Sequence, residues 1–405
     1  MRAARALMTL LERAEAGGWR GADPYDGLTS GLGRISEPFG DLPRFAVSQA
    51  ILRFPPVRAL TRTPASVNAK ALALFLGAIN RGRSLLDDRQ SRVIADGLLA
   101  EIAARCVSSG GGLGWGYPFA WQSRYFWAPA NTPNAVVTST VGWHLLDWAE
   151  SSGEGPASKM GIAAARFLAT ELALSPTGGG EALSYTRIDQ TRVVNISALG
   201  ARTLARAAKL DSSPSLLVVA NWLTRFVLSA QREDGSWPYS LDARGDWEDS
   251  FHTGYILESL VQLAELGVEI RPAAIARGFE AYERFFGADG EARLYPRKAS
   301  VLDAHSAAQG IMTYTALSKS DLLPMVLRDM ARTNAVRVAR WALDELWMDD
   351  RGAFAYRVQN GRRDERNFIR WVQAWMALAM ATVARVHGTE TENSEREAGT
   401  AAAIA

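Results

Sequence analysis

The sequence predicts an all-α chain built as an α/α toroid: about six helical hairpins, with an inner ring of helices inside an outer ring and short β pieces in the rim loops. Three observations lead there. A Gly-containing turn with aromatic residues recurs every fifty-odd to seventy residues, at Trp115/Tyr117, Tyr185, Trp237/Tyr239, Tyr295 and Phe354/Tyr356. Each turn is followed by a polar loop and then an amphipathic helix, and a second amphipathic helix precedes each turn. The helices after the polar loops are rich in small residues, which let helices crowd together as an inner ring requires.

The inner helices are read at 137–151, 194–209, 249–266, 303–318 and 370–387, with a further one at 65–80. The outer helices are read at 89–106, 157–173, 214–232, 272–287 and 328–347, and 2–16 is available to pair with the last inner helix. Apolar residues fall at helical spacing, as at Leu216, Val219, Leu223 and Val227. Cap-forming types open the inner set: Thr138, Asn195, Asp249 and Asp303. Small residues mark it further, with Ser197, Ala198, Gly200 and Ala201 in one helix and Ser306, Ala307, Ala308 and Gly310 in another. Pieces such as LSYTR and FAYRV reach at most short rim hairpins. Residues 1–64 are expected as a helical and loop segment packed on the ring, 65–387 as the toroid, and 388–405 as a disordered tail. An open helical solenoid is the structural alternative.

Composition narrows the function classes. The 405 residues are 48% hydrophobic and 22% charged, with a net charge of +2, too little basic excess for a chain that lives on nucleic acid. Cys106 is the only cysteine, so an intrachain disulfide and a Cys-based zinc site are both excluded. No eighteen-residue apolar stretch exists, and Glu12, Arg13 and Glu15 interrupt the N-terminal run, which reads as an amphipathic helix rather than a signal peptide. The expected location is the cytoplasm, with room for a peripheral membrane contact through that helix.

The segment DGSWPYS…DSFHTGYILESL resembles the repeat of the α/α-toroid superfamily of squalene and terpene cyclases, protein prenyltransferase β subunits and related carbohydrate-active enzymes. The Trp/Tyr turns before inner helices are similar to those in the helical domain of glucuronyl C5-epimerases. The pattern from GADPYDGL to RWVQAWMALA also resembles proteins of bacterial surface-polysaccharide gene clusters, over most of residues 19–387. The resemblance implies the ring fold and leaves the chemistry open, because this scaffold hosts many reactions. Two departures matter. The cyclase acid motif Asp-x-Asp-Asp is absent, DWEDS carrying only Asp246, Glu248 and Asp249, and Cys106 lies on an outer-type helix where the prenyltransferase zinc set needs an inner one.

A toroid of this kind gathers its aromatic loops at one mouth. The densest constellation there is Asp246 to Tyr255, in which Asp249 and His252 stand i, i+3 on one helix face. A carboxylate beside an imidazole orients it and raises its basicity, which suits general acid–base work; the alternative is a capping Asp beside a packed His. The next repeat holds Asp303 and His305 at the equivalent place, and Tyr255 is a further candidate proton acceptor. Arginines recur in the same loops: Arg124, Arg187, Arg192, Arg244, Arg293, Arg297, Arg363, Arg366 and Arg370. They read as a cationic rim for carboxylate or phosphate, or as a rim balanced by Asp189, Asp242, Asp364 and Glu365. Trp121, Tyr185, Trp237, Tyr239, Tyr356 and Trp371 would stack on sugar rings or line an isoprenoid cavity, and Asn195 would donate to an anionic ligand or serve as a cap. No metal-ligand spacing, phosphate loop, dinucleotide fingerprint or nucleophile elbow is present, so neither a metal nor a cofactor is expected.

The expected function is a carbohydrate-active enzyme of surface-polysaccharide biosynthesis. Its substrate would be an anionic or lipid-linked saccharide, turned over by uronate epimerisation or β-elimination, or by glycoside cleavage between Asp249 and Asp303. The alternatives are an isoprenoid cyclase or prenyltransferase and a non-catalytic toroid that binds a glycan or a protein.

Overall fold

A computed structural model describes residues 1–384; the expected tail 388–405 and the last residues of the helix read at 370–387 lie outside them. Six helices form the inner ring: α5 (Ala69–Arg81), α7 (Ala135–Ser152), α9 (Val194–Asp211), α11 (Ser250–Glu265), α13 (Ala304–Lys319) and α15 (374–384), the last entered through a π-helical turn, Ile369–Gln373. Their outer partners are α6 (Asp88–Ala103), α8 (Gly155–Thr170), α10 (Pro214–Ser229), α12 (Pro272–Glu283), α14 (Met325–Glu345) and α1 (Arg2–Ala16). Three short helices, α2 (Gly31–Ser36), α3 (Asp41–Arg53) and α4 (Pro55–Thr61), lie between α1 and the first inner helix.

The ring closes. Consecutive inner helices pack on one another from α5 to α13, and the turn 369–373 touches both α13 and α5. Arg81 near the end of α5 donates to Thr382 across this seam at 2.7 Å. The N-terminal helix completes the outer ring: Leu7, Leu10 and Leu11 are buried, and Arg2 pairs with Asp344 at the end of α14. The apolar face that offered a membrane contact in the sequence is therefore core.

Local chemistry explains the repeat. Trp115 and Trp237 are buried, and their indoles donate to the Ile102 and Val227 carbonyls near the ends of the preceding outer helices. A buried indole needs a partner for its N–H, and a helix end offers unpaired carbonyls. Three rim tyrosines pass the chain to a neighbouring inner helix: the first amides of α7, α9 and α13 donate to the carbonyls of Tyr185, Tyr239 and Tyr356. The last repeat uses the N-terminal segment instead, with Ile369 N–H donating to the Ala22 carbonyl. At these four places the rim satisfies an orphan donor at the start of an inner helix, and the stitch includes the closing seam.

Three capping assignments shift. α7 is capped by Asn134, whose Oδ1 accepts from Val137 N–H, while Thr138 turns its hydroxyl to the Trp115 backbone. Asn195 is the second residue of α9, behind Val193. The helix read from 65 begins at Ala69 behind Asn68, because Ser66–Val67 pairs as a strand with Arg20–Gly21. Asp249 and Asp303 do cap α11 and α13. Inner-ring crowding is visible at Gly254, where a Cβ would lie 2.6 Å from both the Tyr282 hydroxyl and Gln309 Cγ.

Most rim strands are two-stranded hairpins, but the fourth and fifth rim loops join in one antiparallel sheet ordered 362–364, 357–359, 298–303, 293–295. Its register sets Asp303 opposite Arg357.

His144 is buried on α7, and a Cβ on Gly77 would lie 2.4 Å from its Nδ1. Burial pushes its pKa down to about 3. The unfolded chain then binds a proton below about pH 6.5 that the folded chain refuses, so stability falls as pH drops through that window. Asp26, raised to about 6 mainly by burial, works the other way, gaining stability as pH falls from about 6 toward 4. In urea unfolding, the loss between pH 7 and 4.5 is expected to be about 2–3 kcal/mol smaller in His144→Gln than in the parent. An equal loss in both would remove His144 as the acid-sensitive group.

Candidate active site

The mouth of the ring is built by the first turns of α11 and α13, the turn 369–373 and the rim loops. Asp249 is buried at the cap of α11: one carboxylate oxygen accepts from His252 N–H at 2.9 Å and the other meets His252 Nδ1 at 2.8 Å. The carboxylate selects the Nδ1–H tautomer and leaves Nε2 as the imidazole's free acceptor. The His252 side chain keeps 22% exposure and lies edge-on to Tyr239, 4.9 Å away, which itself stacks on Trp247 at 4.4 Å. One turn deeper, the Tyr255 hydroxyl meets His305 Nε2 at 2.6 Å. Burial lowers the His305 pKa well below its ordinary value and raises that of Tyr255 well above its own, so the pair rests as neutral imidazole and neutral phenol.

Phe251 packs against both pairs, its ring 4.2 Å from His252, 4.7 Å from His305 and 6.0 Å from Tyr255. The rings of His252 and Tyr255 are 6.1 Å apart. Trp371 closes the wall, 4.6 Å from His305 and 5.4 Å from Phe251, with Trp375 4.9 Å from His305. The structure thus brings Asp249, His252, Tyr255, His305 and Trp371 together.

Asp303 departs from the expected second Asp/His pair. It is fully buried; one oxygen accepts from the backbone N–H of His305 and Ser306, and the other pairs with Arg357 at 3.2 Å. The reason is spacing: at i, i+2 the His305 ring points away from the cap, whereas at i, i+3 the His252 ring folds back onto it. Burial raises the Asp303 pKa, against the lowering effect of Arg357.

The other predicted residues divide. Tyr239, Asn195 and the edge of Trp237 line one cleft with Asp249 and His252, although Trp237 is a core residue by its burial and its indole bond. Arg124 is exposed at the rim with its guanidinium 5.4 Å above Trp247. Trp121 and Tyr185 pack on each other at 5.0 Å, and Tyr185 shares a 3.3 Å hydroxyl contact with Tyr117. Arg187 is drawn away from the mouth to Glu171, just past the end of outer helix α8, and to Ser109. Arg366 holds Asp364 and the Leu52 carbonyl and ties the rim to α3. Tyr356 lies under the Arg357 guanidinium, 3.9 Å from its centre. Arg370 is buried and grips Asp23 with two parallel hydrogen bonds, between the rings of Tyr117 and Trp371. These last four carry structure around the mouth, and the three arginines keep their charges paired.

Sequence reasoning missed several residues of the cavity. Lys70, at the start of α5, is buried with its ammonium 5.5 Å from the Tyr255 ring and 5.3 Å from the Trp375 ring. Burial lowers its pKa well below the usual lysine value. Below it, Glu258 accepts from Gln309 at 2.7 Å and Gln262 at 3.1 Å, with Arg202 3.8 Å away. Lys70 was findable as one of five lysines in an Arg-rich chain, set in an otherwise apolar run. Asp23 lies in the GADPYDGL segment, read in the sequence only for its resemblance and not as part of the site.

No family model and no curated protein sequence matches the chain. Solved structures do match in shape. A GH76 α-mannanase of Bacteroides thetaiotaomicron superposes with a TM-score of 0.61 at 12% identity, over 82% of this chain and 89% of that one. The chain is an α/α toroid. Cellobiose 2-epimerase from Bacillus thermoamylovorans gives 0.60 at 11% identity, over 79% of this toroid and 88% of the epimerase. An unsaturated glucuronyl hydrolase specific for heparin gives 0.60 at 10% identity, over 95% and 97%. At such identities the shared property is the ring.

Proposed function

We propose that the toroid is a saccharide-processing enzyme that moves a proton on an anionic sugar by two-sided acid–base catalysis, as in uronate epimerisation or β-elimination. The observation that carries this reading is the pair of hydrogen-bonded couples, Asp249–His252 and His305–Tyr255, both packed against Phe251 with the His252 and Tyr255 rings 6.1 Å apart. Tyr255 accepts the carbon-bound proton at its oxygen as it passes its own proton to His305 Nε2. His252, held by Asp249 at Nδ1, first takes a proton at Nε2 from solvent through its part-exposed edge, then delivers it to the opposite face, or to the leaving oxygen in an elimination. Arg370, although paired with Asp23, still acts on Tyr255 in the direction that favours negative charge there.

Buried polar atoms without a protein partner gather at the same place: Asn195 Oδ1, the indole nitrogens of Trp247 and Trp371, and the Tyr125 hydroxyl. A ligand bearing many hydroxyl groups satisfies such a set, and the indole and phenol faces stack on its rings. Glycoside cleavage is less well supported, since it needs two carboxylates free to act and Asp249 and Asp303 are each engaged, with His252 and with Arg357. The mannanase, epimerase and glucuronyl hydrolase names of the compared toroids accord with a saccharide substrate. A role in bacterial surface-polysaccharide biosynthesis, a lipid-linked form of the substrate and a cytoplasmic site of action belong to the same proposal.

The test is deuterium incorporation. Uronate-containing and neutral oligosaccharides are incubated with the protein in D2O and read by mass spectrometry and proton NMR. Deuterium at the carbon beside the carboxylate, or an unsaturated uronate product, is the expected result. Neutral exchange products only, or a thermal-midpoint rise with polyprenyl diphosphates and no exchange, would replace the reading.

A further inference from the structure

The segment that overhangs the mouth is unlike the rest of the surface. Helices α2, α3 and α4 pack on one another and on the turn 26–29, yet α4 buries none of its residues and α3 buries only Ile51. Of the eighteen exposed large apolar side chains among the described residues, six lie here: Leu32, Ile35, Phe39, Leu42, Phe54 and Leu60. Leu42 and Leu60 are 78% and 83% exposed, well beyond what a scattered surface leucine shows. Arg34, Arg53 and Arg62 are exposed among them, with no carboxylate partner among the described residues. The two acidic side chains of 31–62 are Glu37 and Asp41, and Asp41 is paired with Arg44. Arg362 and Arg363 face the same cleft as Arg53 and extend the basic surface.

We propose that α2–α4 dock the protein on an anionic lipid bilayer, with Phe39, Leu42 and Leu60 at the headgroup–acyl boundary and the unpaired arginines on the headgroups. Short helices that bury little of themselves and mix aromatic, aliphatic and cationic tips suit an interface that is apolar below and anionic above. A second copy of the chain fits less well, since a two-fold contact would set this basic surface against itself. The place in the fold gives docking a purpose. α3 reaches the mouth through Arg44, which donates to Gln122 and lies 4.8 Å over Trp127, and through the Leu52 carbonyl held by Arg366. A bilayer under α2–α4 would therefore lie beside the cavity entrance, where a saccharide on a lipid carrier would be presented. Docking itself stands independently of the reaction proposed above, because its readout is partitioning and not turnover.

The experiment is co-sedimentation of the full chain with phosphatidylcholine vesicles, with and without phosphatidylglycerol, beside light scattering in free solution. Binding is expected with phosphatidylglycerol, weakening as salt rises and falling about fivefold for each of Arg34→Ser, Arg53→Ser and Arg62→Ser. Phe39→Ser/Leu42→Ser/Leu60→Ser is expected to lower partitioning at least tenfold with its circular-dichroism melt unchanged, while Leu42→Ile/Leu60→Ile retains binding. Parent and triple variant sedimenting alike, or no binding to anionic vesicles, would overturn the proposal. So would a parent dimer that the triple variant dissociates, which would give this face to a second copy.

Discussion

His252→Ala is expected to lower turnover of a uronate-bearing oligosaccharide by about 10²- to 10⁴-fold, the range a positioned general acid–base group contributes. Its side chain is part-exposed at the mouth, so the thermal midpoint should stay close to that of the parent. Tyr255→Phe keeps the ring and removes only the hydroxyl, and it should lose a similar factor in kcat with KM little changed. Asp249→Asn is expected to fall between them, because it removes the charge that stabilises His252 imidazolium but keeps an acceptor for the Nδ1 proton. Exchange and net conversion should also separate. If Tyr255 and His252 serve opposite faces, each variant loses conversion, while slow deuterium exchange persists on the face whose group remains. Initial rates and deuterium content measured on the same samples check this. Unaltered rates in both His252→Ala and Tyr255→Phe would sink the two-sided scheme, which assigns one proton transfer to each of these groups.

Arg370→Ala is expected to destabilise the fold by about 3–5 kcal/mol, because it strands the Asp23 carboxylate in a site from which water is excluded. Asp23 and Arg370 are 3% and 2% exposed and sit 347 residues apart, so their two hydrogen bonds also tie the last inner helix to the N-terminal segment at the closing seam. Asp23→Ala should cost a comparable amount by stranding the cation. The double variant should recover part of the loss, since removing both charges removes the unpaired one. Urea unfolding followed by circular dichroism measures all three. A loss under about 1 kcal/mol for Arg370→Ala, the range of an exposed ion pair, would mean that water reaches this seam.

The charge pattern around the cavity explains why some candidate residues were legible and others were not. Asp249 and His252 are three positions apart, cap and first turn of one helix, and helical geometry alone places them together. Tyr255 and His305 sit on different inner helices, and only the packing of α11 on α13 brings the hydroxyl to the imidazole. Asp303 looked like a second copy of Asp249, but the register of strands 298–303 and 357–359 delivered Arg357 to it. The rim arginines show the same limit. All lie in rim loops, yet Arg187 turns outward to Glu171, Arg366 turns to Asp364 and the α3 backbone, and Arg370 turns inward to Asp23. Which way a guanidinium turns depends on which carboxylate the fold brings near, and a rim loop brings several.

By itself the sequence determined the ring: the aromatic turns recur, apolar positions keep helical spacing, and small residues mark the helices that must crowd. Those are short-range signals, because one turn of helix or one buried indole sets them. It also offered the Asp249–His252 couple for the same reason, and the structure shows Asp249 both capping the helix and holding the imidazole. The tertiary structure alone decided that the ring closes through residues 22–23, that Lys70 lies buried over Tyr255, and that α2–α4 keep their apolar side chains in the open. Each of these depends on contacts between segments tens to hundreds of residues apart, and no local period records them.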